Sequence, residues 1–348
     1  MLEELHKAKK FIFLEYFIIE PGIMWDAILE ILEEKAQQGV EVRVMYDDIG
    51  SVSTLPKNYP HILEKKGIKC IPFNRLNAFA CIILNNRDHR KILVIDGKIA
   101  FSGGINIADE YINAKVKFGH WKDNGIRVTG DTVWNYTVMF LTMWNSLRNE
   151  DQDFTQFKHH FKKHNEYHGF VSAYGETPLD KENTGQDIYL NIINRANDYV
   201  YIFTPYLIID TDMINALTLA ARRGVDIRIV IPGIPDKRII YTVSESYVEP
   251  LVKGNVKVYK YTPGFVHSKV FVSDDHVATV GTINMDYRSL YLHFECGCYI
   301  EDNEVIKEIK NDLLDTINKS HLITKEEAKP KFFKGLFQAI LRLIAPLL

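Results

Sequence analysis

The stretch "DHRKILVIDG", residues 88–97, decides how this part of the chain is expected to fold. His89 and Lys91 are two positions apart, so on a β-strand both side chains leave the same face. The apolar run 92–95 is typical of a strand buried on both faces, and Asp96-Gly97 predicts a tight turn into a second strand. Taken alone, the string also fits a half-exposed strand edge with no chemical role.

The pattern occurs a second time, in "VHSKVFVSDD" at residues 266–275. Both copies follow H-x-K-x4-D-x6-G-x2-N, with five positions in the same register. The first copy consists of His89, Lys91, Asp96, Gly103 and Asn106, and the second of His267, Lys269, Asp274, Gly281 and Asn284. Five matched positions make accident a poor explanation, so we interpret the pair as a duplicated functional motif.

The repeat extends beyond the motif. Residues 35–48, "KAQQGVEVRVMYDD", resemble residues 220–233, "AARRGVDIRIVIPG". In each copy an amphipathic helix ends at a glycine, Gly39 or Gly224, and a strand follows. This alternation predicts an α/β fold of two similar halves, each a sheet with helices packed on it.

We place the first domain at 1–165, the second at 166–328 and an amphipathic tail at 329–348. The polar, histidine-rich stretch 149–169 is expected to be a solvated linker, because cysteine ligands do not accompany its histidines. The strand-like segment 169–175 precedes the first helix of the second half and has no counterpart ahead of Leu2. We therefore expect the natural chain to carry an upstream strand.

Composition argues against several classes of function. A net charge of -3 gives no general reason to expect nucleic-acid binding. Four cysteines show no zinc spacing, and neither a metal nor a cofactor is indicated. No apolar run reaches the roughly 18 residues that a membrane-spanning helix needs.

A histidine with a lysine beside it is suited to a phosphate group. The imidazole can attack phosphorus while the ammonium neutralises the non-bridging oxygens. Two such pairs provide a nucleophile, a general acid and two cations. We expect Asn106 and Asn284 to bind the phosphate as well. Asp123 and Glu295, which follow the two motifs, are candidates for orienting the histidines; ordinary strand-end charges are the alternative.

Asp96 and Asp274 belong to the same motif but have a different expected role. Each lies seven residues after its histidine, at a turn. We interpret both aspartates as turn-forming groups that steady the catalytic hairpins and not as proton carriers.

The doubled motif resembles that of the phospholipase D superfamily, and within it the bacterial cardiolipin synthases. Strings that carry the resemblance include "NNRDHRKILVIDGKIAFSGGINIADEY", "YTPGFVHSKVFVSDD" and "GTINMDYRSLYLHFE". Two departures are the absence of the family's usual pair of N-terminal membrane helices and His293, which stands where the family commonly has asparagine.

The resemblance implies two similar α/β halves, each a mixed sheet flanked by helices, with the active site at their interface. It implies transfer of a phosphatidyl group from one phosphatidylglycerol to another, with release of glycerol. It implies a phosphohistidine on His89, with His267 as acid and base, and Lys91, Lys269, Asn106 and Asn284 on the phosphate. It also implies a location at the bacterial cell membrane, with the catalytic part on the cytoplasmic side. Alternatives are a lipid hydrolase, a phosphatidylserine synthase, a nuclease and an inactive membrane-associated protein.

The tail "KFFKGLFQAILRLIAPLL", residues 331–348, predicts an amphipathic helix. Its polar stripe contains Lys331, Lys334, Gln338 and Arg342, and apolar residues cover most of the remaining surface. We expect the cations to meet anionic lipid headgroups at a membrane surface. A helix docked on the protein's own core is the alternative.

Overall fold

A computed structural model describes residues 1–75, 86–162 and 169–345 of the chain. These residues form two large mixed β-sheets flanked by helices, which confirms the predicted α/β fold of two similar halves. The predicted boundary near residue 165 lies outside the described residues, and the domain limits stay predictions.

Each half alternates strands and helices along the chain. The strands of the first half are β1 Phe11–Tyr16, β2 Glu41–Asp47, β3 Lys69–Phe73, β4 Lys91–Ile95, β5 Ile99–Gly103, β6 His120–Lys122 and β7 Gly125–Thr129. Its helices are α1 Leu2–His6, α2 Ile23–Gln37, α3 Asp48–Ser51, α4 Tyr59–Glu64 and α5 Thr132–Arg148. The helix and strand that share the repeated sequence are α2 and β2.

The second half is longer. Its strands are β8 Phe170–Glu176, β9 Tyr199–Phe203, β10 Leu207–Ile208, β11 Asp226–Pro232, β12 Lys257–Tyr261, β13 Gly264–Val266, β14 Val270–Ser273, β15 Val277–Gly281, β16 Met285–Asp286, β17 Glu295–Glu301 and β18 Ser320–Leu322. Its helices are α6 Thr184–Arg195, α7 Thr211–Arg222, α8 Arg238–Lys253, α9 Tyr287–Tyr291, α10 Val305–Asn318, α11 Lys325–Ala328 and α12 Phe332–Leu343. The repeated sequence here forms the end of α7 and β11.

The two sheets share one strand order. The first runs β3-β2-β1-β4-β5-β7, and the second runs β18-β12-β11-β9-β14-β15-β17-β8. In each, three parallel strands adjoin an antiparallel series that begins with the motif strand, β4 or β14. Strand β8 pairs with β17 and has no equivalent among the described strands of the first sheet, where β7 pairs only with β5. The expected upstream strand stays a prediction.

One apolar cluster joins the halves. It contains Phe13 and Phe140 of the first half together with Val270 and Ile300 of the second, all of them buried. Separate clusters cover the other faces of the two sheets. Because the halves bury these residues against each other, the relative position of the sheets is fixed by core packing.

The motif aspartates form the hairpin turns that the sequence predicts. Asp96 and Gly97 both have positive φ, as do Asp274 and Asp275, so each hairpin closes through a two-residue turn. The Asp96 carboxylate also accepts hydrogen bonds from three backbone N–H groups at residues 9–11, at 2.7–3.0 Å. Asp274 does the same for residues 197–199, at 2.8–3.1 Å. Each aspartate therefore anchors the start of the neighbouring strand, β1 or β9.

The expectation of a solvated linker fits most of the described residues 149–162, which are exposed or half-buried, but it fails at one position. Phe157 lies in a short 3-10 helix, Phe154–Phe157, and is buried. Its ring packs edge-on against Phe11 and Phe13, with centroids 5.1 Å apart in both cases. Phe157 extends the apolar core, but the polar residues beside it in the sequence gave no indication that it would be buried. The predicted linker histidines His164 and His168 lie outside the described residues.

Candidate active site

Each motif histidine is held by the backbone of the opposite half. The His89 N–H donates to the carbonyl oxygen of Phe294 at 2.9 Å, and the His267 N–H donates to that of Lys122 at 2.8 Å. The next residues along those segments are Glu295 and Asp123. The same backbone contact therefore brings a carboxylate to each histidine.

The two histidine–carboxylate pairs cross between the halves. His89 Nδ1 lies 2.8 and 2.9 Å from the oxygens of Glu295, and His267 Nδ1 lies 2.7 Å from Asp123 Oδ2. Asp123 follows the first motif but serves the second histidine, and Glu295 does the reverse. Holding Nδ1 in this way fixes the orientation of each ring and leaves Nε2 for the substrate.

The motif glycines permit this close approach. A Cβ on Gly103 would lie 2.4 Å from the Asn124 carbonyl oxygen, and one on Gly281 would lie 2.6 Å from that of Cys296. Both carbonyls belong to residues directly after the orienting carboxylates. A side chain at either glycine would push the carboxylate segment away from its strand.

Both motif lysines are buried beside their histidines. Lys91 Nζ donates to the carbonyl oxygen of His89 at 2.5 Å, and Lys269 Nζ donates to that of His267. Burial lowers the pKa of Lys91 to about 8 and that of Lys269 to about 7. The ammonium groups are poorly solvated, which strengthens their attraction for an incoming anion.

The pKa values of both histidines are lowered, whereas those of their two carboxylates shift in opposite directions. Burial and the adjacent Lys269 lower the pKa of His267 to about 4, and burial with Lys91 places the pKa of His89 well below its usual range. Burial raises the pKa of Glu295 well above its ordinary value. Burial would raise the pKa of Asp123, but the charges of His267 and Lys269 and the hydrogen bonds from His267 and the Asn124 N–H together lower it. The carboxylate beside His267 is thus the more readily ionised.

Both histidines open into one cavity of about 630 Å³ between the halves. Aromatic side chains form much of its wall: Phe17, Tyr111, Phe118, Trp121, Tyr206 and Tyr287. The Phe17 ring lies edge-on to His89 at 4.9 Å, and the Tyr111 ring lies edge-on to His267 at 5.4 Å. The reacting histidines therefore lie in a largely apolar enclosure, with the buried Lys91 and Lys269 beside them.

The structure places the other predicted site residues in two groups. Asn106 and Asn284 line the cavity, where their amide groups donate to Tyr111 Oη at 2.8 Å and Ser289 Oγ at 3.0 Å. Asp96 and Asp274 do not line it. They lie at the far end of the motif strands, where backbone N–H groups occupy their carboxylates, so the structure gives them an anchoring role and no contact with the reacting groups.

Sequence reasoning missed a buried ion pair beside the site. Arg87 lines the cavity, and its guanidinium binds the Asp47 carboxylate at 2.7–3.1 Å. The aspartate ends β2, and the arginine lies two residues before His89. The "RDH" spacing was visible in the sequence, but Phe265 occupies the equivalent position of the second motif, so the duplication gave no signal.

Two groups of side chains in the described ranges could offer three ligands to a metal ion. His89, His293 and Glu295 are buried, and their ligand atoms lie within 4.8 Å of one another. His276, Glu301 and Asp302 form a more exposed group. The first group shares its atoms with the proposed catalytic pair, and its carboxylate already binds the His89 ring.

The C-terminal helix α12 packs on α8 with its polar stripe facing the protein. Gln338 is buried and donates to the Thr242 carbonyl oxygen at 3.2 Å, Lys334 pairs with Glu245 at 2.8 Å, and Arg342 lies 4.3 Å from the centre of the Tyr247 ring. Lys334 and Arg342 therefore have partners within the protein, and the expectation that they meet lipid headgroups stays a prediction. These partners lie on α8, where Lys334 makes an ion pair and Arg342 makes a cation–π contact.

The apolar side of α12 is exposed. Phe332, Phe333 and Leu343 are each at least 80% exposed, and Leu336, Phe337 and Ile340 are more than half exposed. Ala345, just after the helix, lines the active-site cavity. Among the helices that the structure describes, none is long and apolar enough to cross a bilayer.

Two α/β halves that bring a histidine and a lysine each to one cavity define an enzyme of the phospholipase D-like class. The chain belongs to the family "Cardiolipin synthase, PLD-like domain", whose model matches residues 1–144 and 189–316. It is 35% identical to a cardiolipin synthase of Alkalihalophilus pseudofirmus, over 100% of this chain and 69% of that protein. It is therefore a phosphatidyltransferase that acts on phospholipids.

Two further proteins are similar to this chain in sequence or in fold. An uncharacterized protein of Streptococcus mutans is 49% identical over 100% of this chain and 76% of its own length. A phosphatidylserine synthase of Haemophilus influenzae has a similar structure, with a TM-score of 0.74 and 14% identity over 99% of this chain and 90% of that one. At that identity the structural match shows a shared fold only.

Proposed function

We propose that this enzyme makes cardiolipin from two phosphatidylglycerol molecules and releases glycerol through a phosphohistidine intermediate. The observation that carries the proposal is the pair of histidines that share one cavity, each with Nδ1 held by a carboxylate of the other half. This arrangement provides a nucleophile and a general acid on two sides of one phosphodiester.

In the first step, His89 Nε2 attacks phosphorus and the bond from phosphorus to the headgroup oxygen breaks. His267 gives its proton to that oxygen, and glycerol leaves. In the second step, His267 takes the proton of an acceptor hydroxyl, whose oxygen attacks phosphorus and breaks the P–N bond. His89 and the protonated His267 are then restored.

The electrostatics favour these roles for the two histidines. The pKa of His267, about 4, leaves it unprotonated in the free enzyme, but the more readily ionised Asp123 favours a proton on His267 once the phosphate is bound, which suits a general acid. Burial beside Lys91 keeps His89 unprotonated, which suits a nucleophile. The phosphate brings a negative charge between Lys91 and Lys269, and this charge raises the pKa of both histidines when the substrate binds.

The exposed apolar face of α12 supports a membrane surface as the site of action. Phe332, Phe333 and Leu343 would enter the acyl boundary, and the chain after α12 reaches the cavity at Ala345. A lipid could then pass from the bilayer into the cavity without crossing water. We assign the enzyme to the cytoplasmic side of the cell membrane, with no nucleic acid as partner.

The test uses the purified enzyme with vesicles of radiolabelled phosphatidylglycerol. We expect cardiolipin and glycerol in equal amounts, and no product from His89→Ala. His267→Ala should slow turnover by at least about 100-fold and accumulate an acid-labile phosphoenzyme. His61→Ala, at an exposed histidine of the same half, is the matched control. Phosphatidic acid as the sole product would identify a hydrolase instead, and full activity of either catalytic variant would overturn the two-histidine mechanism.

A further inference from the structure

His293 is a buried histidine at the active site that the proposed mechanism does not use. Its residue is 9% exposed, it lines the catalytic cavity, and its ring centre lies 5.8 Å from that of His89. Neither ring nitrogen has a hydrogen-bond partner in the part of the chain that the structure describes. The nearest carboxylate oxygen, on Glu295, lies 3.9 Å from Nδ1, too far for a hydrogen bond.

Two unpaired nitrogens in a buried ring indicate a missing partner. Buried polar groups in proteins are nearly always hydrogen-bonded, and leaving them unpaired is costly. The ring borders the cavity, but both nitrogens are almost inaccessible to solvent, so a partner in the cavity pairs with one of them only when the ring turns toward it.

The charge state of His293 limits which chemical groups could be its hydrogen-bond partner. Burial and the neighbouring cations Arg288, Lys91 and Arg87 lower the pKa of His293 to about 3, so the ring is neutral. A neutral imidazole offers one N–H donor and one acceptor nitrogen. A hydroxyl group has the complementary donor and acceptor, whereas an ammonium group would be repelled by the cations nearby.

We propose that His293 binds a free hydroxyl of the polyol headgroup next to the phosphate that reacts with His89. This inference rests on the proposed function and adds a determinant of headgroup choice. It predicts selection of neutral polyol headgroups over simple alcohols, which lack the second hydroxyl, and over amino alcohols.

The experiment compares two acceptors that differ by one hydroxyl, propane-1,2-diol and propan-1-ol, with phosphatidylglycerol vesicles as the donor. For the wild type we expect a higher kcat/KM with the diol. In His293→Phe, which keeps a ring without nitrogens, the diol-to-propanol ratio of kcat/KM should fall by about 3- to 10-fold. His293→Asn keeps a donor and an acceptor and should retain most of the ratio. Ile240→Val, elsewhere on the cavity wall, is the control for changes in shape.

The outcomes separate this inference from the proposed function. A wild type that transfers to neither alcohol and makes no cardiolipin overturns the proposed function. A ratio that is unchanged in His293→Phe, or equal losses with both alcohols, overturns the headgroup role of His293.

A second measurement covers the case in which His293→Phe does not fold or transfer is absent. Nitrogen-15 NMR of histidine-labelled wild-type enzyme should show the His293 ring nitrogens shifting when glycerol is added and not when propan-1-ol is added. Shifts with neither ligand, or equal shifts with both, would refute hydroxyl recognition by His293.

Discussion

At the scale of single residues, the site depends on carboxylates that never touch the phosphate. Asp123 and Glu295 each fix one imidazole, and a wrongly oriented imidazole cannot attack or donate. Removing the charge while keeping the shape tests this role directly.

Asp123→Asn should lower kcat by about 100- to 10,000-fold with little change in KM, because the ring that it orients acts in the transition state. Glu295→Gln should lower kcat by less, because burial already disfavours the charged form of Glu295. Steady-state kinetics on phosphatidylglycerol vesicles measures both constants. Asp226→Asn is the control, since Asp226 is ion-paired with Arg228 and Lys257 away from the cavity. A loss below about 3-fold in Asp123→Asn would show that His267 does not need the carboxylate.

The buried lysines predict a pH dependence. The ammonium forms attract the phosphate, and their pKa values of about 8 for Lys91 and about 7 for Lys269 lie far below the ordinary lysine value. We therefore expect kcat/KM, which already declines above the His267 pKa of about 4, to fall more steeply as pH rises above about 7 to 8, where the free enzyme loses the lysine charges. Bound substrate stabilises the ammonium forms, so the decline in kcat should lie at higher pH. A kcat/KM that stays constant up to pH 10 would contradict the assigned role of the lysines.

At the scale of secondary-structure elements, the motif hairpins are held by their turns. The conservative changes Asp96→Asn and Asp274→Asn tolerate the left-handed backbone but replace an accepting oxygen with an amide that faces backbone N–H groups. We expect each change to lower the free energy of unfolding by about 1–3 kcal/mol.

Urea denaturation measures this loss, and the kcat of the folded fraction should change little. Asp275→Asn, at the next position of the same turn, is the control, because its carboxylate is half exposed and pairs with Lys310. A large fall in kcat at unchanged stability would instead place Asp96 or Asp274 in the chemistry.

Helix α12 makes the second prediction at this scale. Replacing Phe332, Phe333 and Leu336 with serine should weaken binding to phosphatidylglycerol vesicles by about 10- to 100-fold, because these exposed side chains would no longer enter the bilayer. Co-sedimentation measures the affinity. Lys334→Gln should have a smaller effect, since Lys334 already pairs with Glu245. Unchanged binding by the triple variant would exclude this face as the membrane contact.

At the scale of the whole molecule, the shared core predicts cooperative unfolding. All four tryptophans, Trp25, Trp121, Trp134 and Trp144, belong to the first half, so their fluorescence reports mainly on that half, although Trp121 also packs against Phe265 of the second half. Far-ultraviolet circular dichroism reports on the entire chain. Because side chains of both halves form one buried cluster, the two signals should change at the same urea concentration. Circular dichroism that changes further after the fluorescence transition is complete would show independent halves.

The sequence alone determined much of this protein. The duplicated H-x-K motif, the two-residue turns at Asp96 and Asp274, and the repeated helix–strand unit were all readable, because local periodicity and turn chemistry specify strands, helices and hairpins. These features predicted two α/β halves and the residues that meet between them. They did not predict the packing of Phe157, because its neighbours along the chain are polar.

Only the tertiary structure decided which groups serve each other. Glu295 lies 206 positions from His89, and Asp123 lies 144 positions from His267, so nothing local could show that the pairs cross between the halves. For α12, the sequence correctly predicted an amphipathic helix, but it could not show that the polar stripe faces the protein. A helical pattern defines two faces, but the partners Glu245 and Tyr247 on α8 determine which face is buried. Such contacts depend on how distant segments pack, and sequence periodicity carries no record of that packing.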